Sequence, residues 1–218
     1  TRGDLDGNTN AGGYDAYVLK LKDIGGSSSS GNGSGSGSGS GGSTSSSASA
    51  TGTVEWTRQL GTSAWDVGHG VAVDQDGNLY VAGYTGGSID SNSNGGDQDV
   101  LVVKYNSSGI KQWSQQLGPP SKDRAFGIAI DSDGDIYVAG FTEGSIDGNS
   151  SAGSRDLIIA KYNASGVKQW ARQKGTSSID IAYGIATDNS GNVYVTGYTL
   201  GSLNGNTSAG GYDIFVVK

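Results

Sequence analysis

Apolar and polar residues alternate in short runs along this chain, and the same runs return every 57 residues. The segment Asp99-Val-Leu-Val-Val-Lys104 recurs as Asp156-Leu-Ile-Ile-Ala-Lys161 and as Asp213-Ile-Phe-Val-Val-Lys218. Short apolar runs with period-two alternation predict β-strands, and a period near fifty residues is typical of propellers and solenoids. The pattern therefore predicts an all-β repeat protein.

One repeat resolves into four predicted strands, A to D, at residues 70–74, 79–84, 100–105 and 110–117. The Asp-Gly pair between strands A and B is a strong hairpin signal, because Gly tolerates a positive φ. Four short strands joined by turns make one propeller blade. We predict an all-β β-propeller of about 57-residue four-stranded antiparallel blades, with partial blades at both chain ends.

The repeat divides the chain into six segments. These are a partial blade with one strand C (1–24), a Ser/Gly-rich insertion (25–52), strand D of the first blade (53–61), two complete blade units (62–118 and 119–175) and an incomplete fourth unit (176–218). We expect the insertion to be a surface coil or a tract that accepts O-linked glycans, because its Ser, Thr and Gly residues cannot build a core.

Thirteen strands are predicted, one more than three blades need. The strand C copies at residues 14–22 and 214–218 compete for one position. The chain could be a fragment of a longer propeller, since closed propellers have roughly four to eight blades. It could instead close a small ring and leave one edge exposed. Because unpaired edges invite association, we favour a third interpretation, in which one strand pairs with a neighbouring subunit.

Three sequence motifs resemble a known repeat family. They are Gly127-Ile-Ala-Ile-Asp-Ser-Asp-Gly-Asp-Ile-Tyr-Val-Ala-Gly140, Gly12-Gly-Tyr-Asp-Ala-Tyr-Val-Leu-Lys20 and Lys161-Tyr-Asn-Ala-Ser-Gly166. Together they resemble the bacterial β-propeller repeats called SBBP repeats, over the whole chain except the insertion. The resemblance implies a propeller on a secreted or surface protein and brings no common activity. We therefore expect an extracellular or cell-surface protein that is not an enzyme.

Charge and composition narrow the possible partners. The net charge of -7 argues against a nucleic-acid partner, because no basic face is available to neutralise phosphates. The absence of Cys excludes disulfides and thiolate chemistry, and no apolar run is long enough to span a membrane. The single histidine, His69, is replaced by Phe126 and Tyr183 in the next repeats, which predicts an aromatic plug rather than a catalytic base.

The loops between strands B and C are the candidate metal sites. Asp and Asn alternate there, and a further Asp lies nine residues after the first; oxygen ligands in this pattern suit Ca²⁺. The candidate ligands are Asp6, Asn8, Asn10 and Asp15; Asp90, Asn92, Asn94 and Asp99; and Asp147, Asn149 and Asp156. The simpler interpretation is a set of Asx turns, since no copy has the bidentate Glu of a complete EF-hand.

We expect Trp56, Trp113 and Trp170, which are 57 residues apart, to be buried anchors between blades. The leading functional hypothesis is an extracellular structural propeller that assembles with itself, by strand sharing between subunits, into an oligomer or filament. The alternative is a carbohydrate- or protein-binding propeller module on a bacterial surface.

Overall fold

A computed structural model describes residues 9–23 and 52–218, and in that part of the chain thirteen strands form four antiparallel sheets. The first sheet contains β1 (Ala16–Asp23) and β2 (Gly52–Leu60). The second contains β3 (Asp66–Val73), β4 (Leu79–Thr85), β5 (Asp99–Tyr105) and β6 (Lys111–Leu117). The third contains β7 (Asp123–Ile130), β8 (Ile136–Thr142), β9 (Asp156–Tyr162) and β10 (Lys168–Lys174).

The fourth sheet contains β11 (Asp180–Thr187), β12 (Val193–Thr199) and β13 (Asp213–Val217), and a single 3-10 turn at Leu203–Gly205 precedes its last strand. Two complete four-stranded blades therefore lie between a two-stranded sheet, which supplies strands C and D, and a three-stranded sheet, which supplies A, B and C. The all-β blade architecture predicted from the repeat is confirmed.

Each blade is apolar on both faces, because neighbouring blades cover it from both sides. On β5, Leu101 and Val103 pack with Val18 of the first sheet, whereas Val100 and Val102 pack with the third sheet. Successive residues of a strand point to opposite faces, so one strand serves two interfaces. Alternate positions of β5 thus join its blade to the sheet on each side.

Strand A is longer than its sequence pattern predicts. It begins at Asp66 rather than residue 70, because a β-bulge between Gly68 and Gly70 adds His69 without ending the strand. The extra residues of the three bulges form a column: the ring centroids of His69 and Phe126 lie 4.8 Å apart, as do those of Phe126 and Tyr183. Burial, and then the charge of Arg124, lower the pKa of His69, as expected for a packed ring.

The repeated Trp residues occupy equivalent positions, as expected, but they are half-buried rather than buried. They lie on strand D, which is the outermost strand of its sheet. Trp56 Nε1 donates to the carbonyl of Ser107 at 3.2 Å, and Trp113 Nε1 donates to that of Ala164 at 3.3 Å. Trp56 and Trp113 thus anchor one blade to the next, through the turn between strands C and D.

A substitution at Gly166 tests the contact between Trp113 and the next blade. A Cβ at this position would lie 2.8 to 3.1 Å from carbons of Trp113, and the residue has φ +82°. Gly191 has a similar φ of +76° with nothing within 4 Å of its Cβ position, so it is a matched control. We expect Gly166→Ala to lower the unfolding free energy by about 1–3 kcal/mol more than Gly191→Ala does, the typical cost of overpacking. Equal losses in urea unfolding would show that Trp113 does not hold the blades together.

Candidate functional site

The loop between β4 and β5 is folded back onto β6. Asp90 Oδ1 lies 2.6 Å from Lys111 Nζ, and its Oδ2 accepts a hydrogen bond from Ser114 Oγ at 2.5 Å. Asn92 Nδ2 donates to the carbonyls of Ile89 and Ser114. Burial raises the pKa of Asp90, but the hydrogen bonds from Lys111 and Ser114 outweigh it, and the net shift is downward. These two predicted calcium ligands are therefore engaged with protein donors and acceptors.

The remaining two predicted ligands of this loop close its far end. Asn94 Oδ1 accepts from the amide of Gly96 at 2.9 Å, and Asp99 Oδ2 accepts from the amide of Gly95 at 2.8 Å. Asp99 is buried, and that burial raises its pKa. The four candidates thus engage two different sets of partners, one along β6 and one within the loop itself.

The other copies repeat this arrangement. Asp147 pairs with Lys168, Asn149 Nδ2 donates to a nearby carbonyl, and Asp156 Oδ2 accepts from a loop amide at 2.7 Å. In the first copy Asn10 and Asp15 accept from backbone amides, while Asp6 and Asn8 lie outside the described residues. In the part of the chain that the structure describes, no group of three or more His, Asp or Glu side chains is placed to hold a metal ion. Calcium binding stays a prediction.

Lys111 gives this prediction a sharp test, because Ca²⁺ at Asp90 has to displace the ammonium that now pairs with it. We expect calorimetric titration after chelation to show binding, and Lys111→Ala to bind Ca²⁺ more tightly than the parent chain. Lys174→Ala, at an exposed lysine of β10, is the control. Absence of heat at millimolar Ca²⁺ in all three proteins, with no rise in Tm, would reduce these loops to Asx turns.

A glutamine on each D strand clamps this same loop, and the sequence analysis missed it. Gln116 Oε1 accepts from the amide of Ile89 at 2.7 Å, while its Nε2 donates to the carbonyl of Gly87 at 3.1 Å and to Asp99. Gln173 makes the same three bonds in the next blade, and Gln59 donates to Asp15 at 2.6 Å. The signal was available as a Trp-x-x-Gln pattern that recurs every 57 residues.

Buried carboxylates lie where the chain passes from one blade into the next, and these too were missed. Asp66 and Asp180, at the start of β3 and β11, each accept from the amide and hydroxyl of a Thr four residues earlier. Pro119 occupies the equivalent position four residues before Asp123. It has neither a backbone N–H nor a hydroxyl, so it can donate no hydrogen bond to Asp123. Burial raises the pKa of Asp123 to about 7, although the hydroxyls of Thr142 and Ser121 oppose it.

Pro119→Thr should therefore restore two donors to Asp123 and lower its pKa. With a folded pKa of about 7 and an ordinary value of 3.8, the folded parent keeps its proton while the unfolded chain loses it, so this group costs stability as the pH rises from 4 to 7. We expect that cost to shrink in Pro119→Thr and to vanish in Asp123→Asn, measured by urea unfolding at pH 4, 5.5 and 8. An unchanged carbon-13 titration of Asp123 in the Thr variant would contradict the assignment.

The last sheet of the described chain contains strands A, B and C. In the described part of the chain β13 pairs with β12 on one edge and with no strand on the other. A cavity of about 350 Å³ lies along that edge, lined by the loop between β12 and β13. Its lining includes Gly201, Leu203 and Asp213, which are the repeat equivalents of the three groups that Gln116 clamps. The cavity therefore presents the same polar groups that strand D contacts in the two complete blades.

Apolar residues are exposed on the last sheet and beside the first one. Ile214 and Val216 on β13 are 85% and 72% exposed, whereas their equivalents on β5 are fully buried. Beside the two-stranded first sheet, Val71 and Val73 on β3 are 65% and 61% exposed. Their equivalents on β7 are partly buried against the preceding blade. Both pairs thus lie at positions that the repeat buries elsewhere in the chain against a complete blade.

A second cavity, of about 510 Å³, lies where the turns between strands A and B of three blades meet. Asp74, Asp131 and Asp188 line it, one from each turn. Each of these carboxylates accepts from the amides of its own turn and from the hydroxyl of a Tyr on strand B. Hairpin geometry accounts for their positions, and together they make the cavity acidic.

Comparison with known proteins agrees with these blades. The SBBP family, described as a β-propeller repeat, matches residues 55–90, 112–147 and 169–204. The chain belongs to the SBBP β-propeller repeat family. Each match runs from strand D of one blade through the hairpin of the next. Within residues 9–23 and 52–218 no helix is long and apolar enough to cross a membrane.

Two curated proteins are similar at low identity. The regulatory protein FlaEY of Caulobacter vibrioides is 27% identical over 158 residues, which is 65% of this chain and 17% of that protein. An uncharacterized WD repeat-containing protein, L264, of Acanthamoeba polyphaga mimivirus is 25% identical over 182 residues, 66% of this chain and 13% of that protein. The chain thus spans less than a fifth of the length of either relative.

Proposed function

We propose that this chain is a structural β-propeller module that associates with further propeller blades through the two open ends of its blade stack. The single observation that supports this most is the contrast in exposure between equivalent residues. Ile214 and Val216 are largely exposed at positions where Val100 and Val102 are buried. Exposed apolar surface next to an open strand edge is typical of interaction sites.

The partner that best fits these ends is another copy of the same kind of blade. Within the chain Val100 and Val102 belong to one apolar cluster with residues of the next blade, whereas their equivalents Ile214 and Val216 are exposed, as are Val71 and Val73 on β3. An interface between two different surfaces of identical subunits is heterologous, and it gives either a ring or a filament. An extracellular or surface location belongs to this proposal on the family resemblance alone, and glycans on the insertion at 25–52 belong to it on the Ser- and Thr-rich composition of that segment alone.

No enzymatic role forms part of the proposal. The acidic residues repeat at equivalent positions in every blade, and the only histidine packs between aromatic rings. Catalysis by a single active site needs one asymmetric group of residues, whereas these positions serve each blade alike. The repeated carboxylates therefore favour a structural role.

A second candidate function rests on the 510 Å³ acidic cavity. Carboxylates from three adjacent turns could accept hydrogen bonds from several hydroxyls of a carbohydrate, which suits a binding module. The ligand would have to compete with the turn's own hydrogen bonds to Asp131. Binding of a glycan that is lost in Asp131→Asn but kept in Asp90→Asn would favour this candidate over the structural one.

Light scattering of the full chain over a range of concentrations tests the structural proposal. We expect mass to rise with concentration, and Val216→Asp to shift the chain to monomer, because a buried charge at the interface would be unpaired. Val167→Asp is the matched control, since Val167 is 57% exposed but lies in a turn rather than on an end face. A parent chain that stays monomeric at every concentration would overturn the proposal.

A further inference from the structure

We propose that the junction between the two complete blades is a pH-sensitive latch, which is closed while Asp99 and Asp123 hold one proton between them and loosens when both carboxylates are ionised. Asp99 begins β5 in one blade, and Asp123 begins β7 in the next. The inference concerns a contact inside the chain. It therefore goes beyond the proposed association with further blades and does not depend on it.

The two carboxylates converge on one point. A Cβ at Gly118 would lie 2.6 Å from Asp99 Oδ1 and 2.7 Å from Asp123 Oδ2, so the bare Cα of a glycine is what lets both oxygens approach. Asp99 is 1% exposed and Asp123 is fully buried. Two carboxylates that face each other away from water resist double ionisation, because each charge disfavours the other. They therefore titrate as a pair.

The two facing oxygens receive little from hydrogen-bond donors. Among the described residues Asp99 Oδ1 has no hydrogen-bond partner, and Asp123 Oδ2 accepts a long hydrogen bond from Ser121 Oγ at 3.3 Å. A protonated carboxyl is itself a donor, so one proton on either oxygen supplies what this place lacks. The unpartnered oxygen thus indicates where the shared proton lies.

The charges around the pair favour keeping that proton. Burial above all, and to a lesser degree the negative charges of Asp99 and Glu143, raise the pKa of Asp123 to about 7. Burial also raises the pKa of Asp99. The nearby cations are each engaged with another partner: Lys122 with Asp97, Arg155 with Glu143, and Arg124 with Gln98.

The junction between the third and fourth sheets lacks this arrangement and serves as an internal comparison. There Asp180 Oδ2 accepts from the amide and the hydroxyl of Thr176, at 2.6 and 2.9 Å. The three atoms nearest to a Cβ at Gly175 all belong to Asp156, the repeat equivalent of Asp99, and none to Asp180. Thr donors thus satisfy the second carboxylate at that junction, so it needs no shared proton.

Backbone hydrogen bonds beside the pair connect the two blades. The amide of Asp123 donates to the carbonyl of Gln98 at 2.7 Å, and the amide of Asp97 donates to that of Ser121 at 3.1 Å. Opening of this junction hydrates both carboxylates and releases their proton. Opening therefore becomes easier as the pH rises from 3.8, the ordinary value for Asp, to about 7, and it levels off at higher pH.

Hydrogen exchange at the two junctions tests the latch within one molecule. We expect the opening constant of the Asp123 amide, corrected for the intrinsic exchange rate, to rise by up to about tenfold for each pH unit between 5 and 7. The amide of Asp180, which donates to the carbonyl of Arg155 at 2.8 Å, should change less over the same range.

Asp99→Asn imitates the protonated partner. Its amide nitrogen can donate to Asp123 Oδ2, while its oxygen keeps the hydrogen bond that Asp99 Oδ2 accepts from the amide of Gly95. We expect this variant to lose the pH dependence of the Asp123 amide and to lower the pKa of Asp123 in carbon-13 titration. Asp156→Asn, at the equivalent position of the next junction, is the matched control and should leave both properties unchanged.

The decisive titration uses the parent chain, so it does not depend on how well a variant folds. Coupled two-step titration of the Asp99 and Asp123 carboxyl carbons, together with a pH-dependent Asp123 amide, supports the latch. Independent titration of both carboxyls near their ordinary values overturns it, and so does an equal pH response of the Asp123 and Asp180 amides. Added Ca²⁺ that protects the Asp123 amide at pH 8 in the parent but not in Asp99→Asn would show that a cation, rather than a proton, holds the pair.

Discussion

The constraint on which this structure depends is that strands B and C of every blade are apolar on both faces. On β8 every residue is buried, and on β5 all but one are, because another blade covers each side. Such a sheet cannot face water on either side without exposing a row of Val, Leu, Ile and Phe. Each blade therefore needs two neighbours, and a linear stack necessarily has two ends where this need is unmet.

The polar contacts between blades follow from the same stacking. The amide of Asp123 donates to the carbonyl of Gln98 at 2.7 Å, and the amide of Asp180 donates to that of Arg155 at 2.8 Å. These bonds lie at the point where the chain leaves one blade and enters the next, so buried backbone groups find partners across the junction. Each junction also contains a buried carboxylate. Asp66 and Asp180 accept hydrogen bonds from the amide and hydroxyl of a preceding Thr, whereas Asp123 lacks these two donors.

The blade pattern could be predicted from the sequence because it depends on local alternation, turn residues and a fixed period. The bulge at Gly68 and Gly70 could not, since it adds one residue without a change in composition. The half-burial of Trp113 also depends on which strand is outermost, a property of the whole sheet. Alternation indicates that a face is apolar, but it does not indicate how much of that face a neighbour covers.

In the candidate site, too, the residue types could be predicted from the sequence but their contacts could not. The sequence alone predicted that Asp90 and Asn92 form part of a repeated site, and their oxygen atoms suggested a cation as the ligand. It did not predict the partners of Asp90, because Lys111 and Ser114 lie more than twenty residues away on a strand that only the fold brings near. Gln116 was overlooked for a related reason. A single Gln carries no chemical signal in a sequence, and its role comes from three loop groups that converge on it.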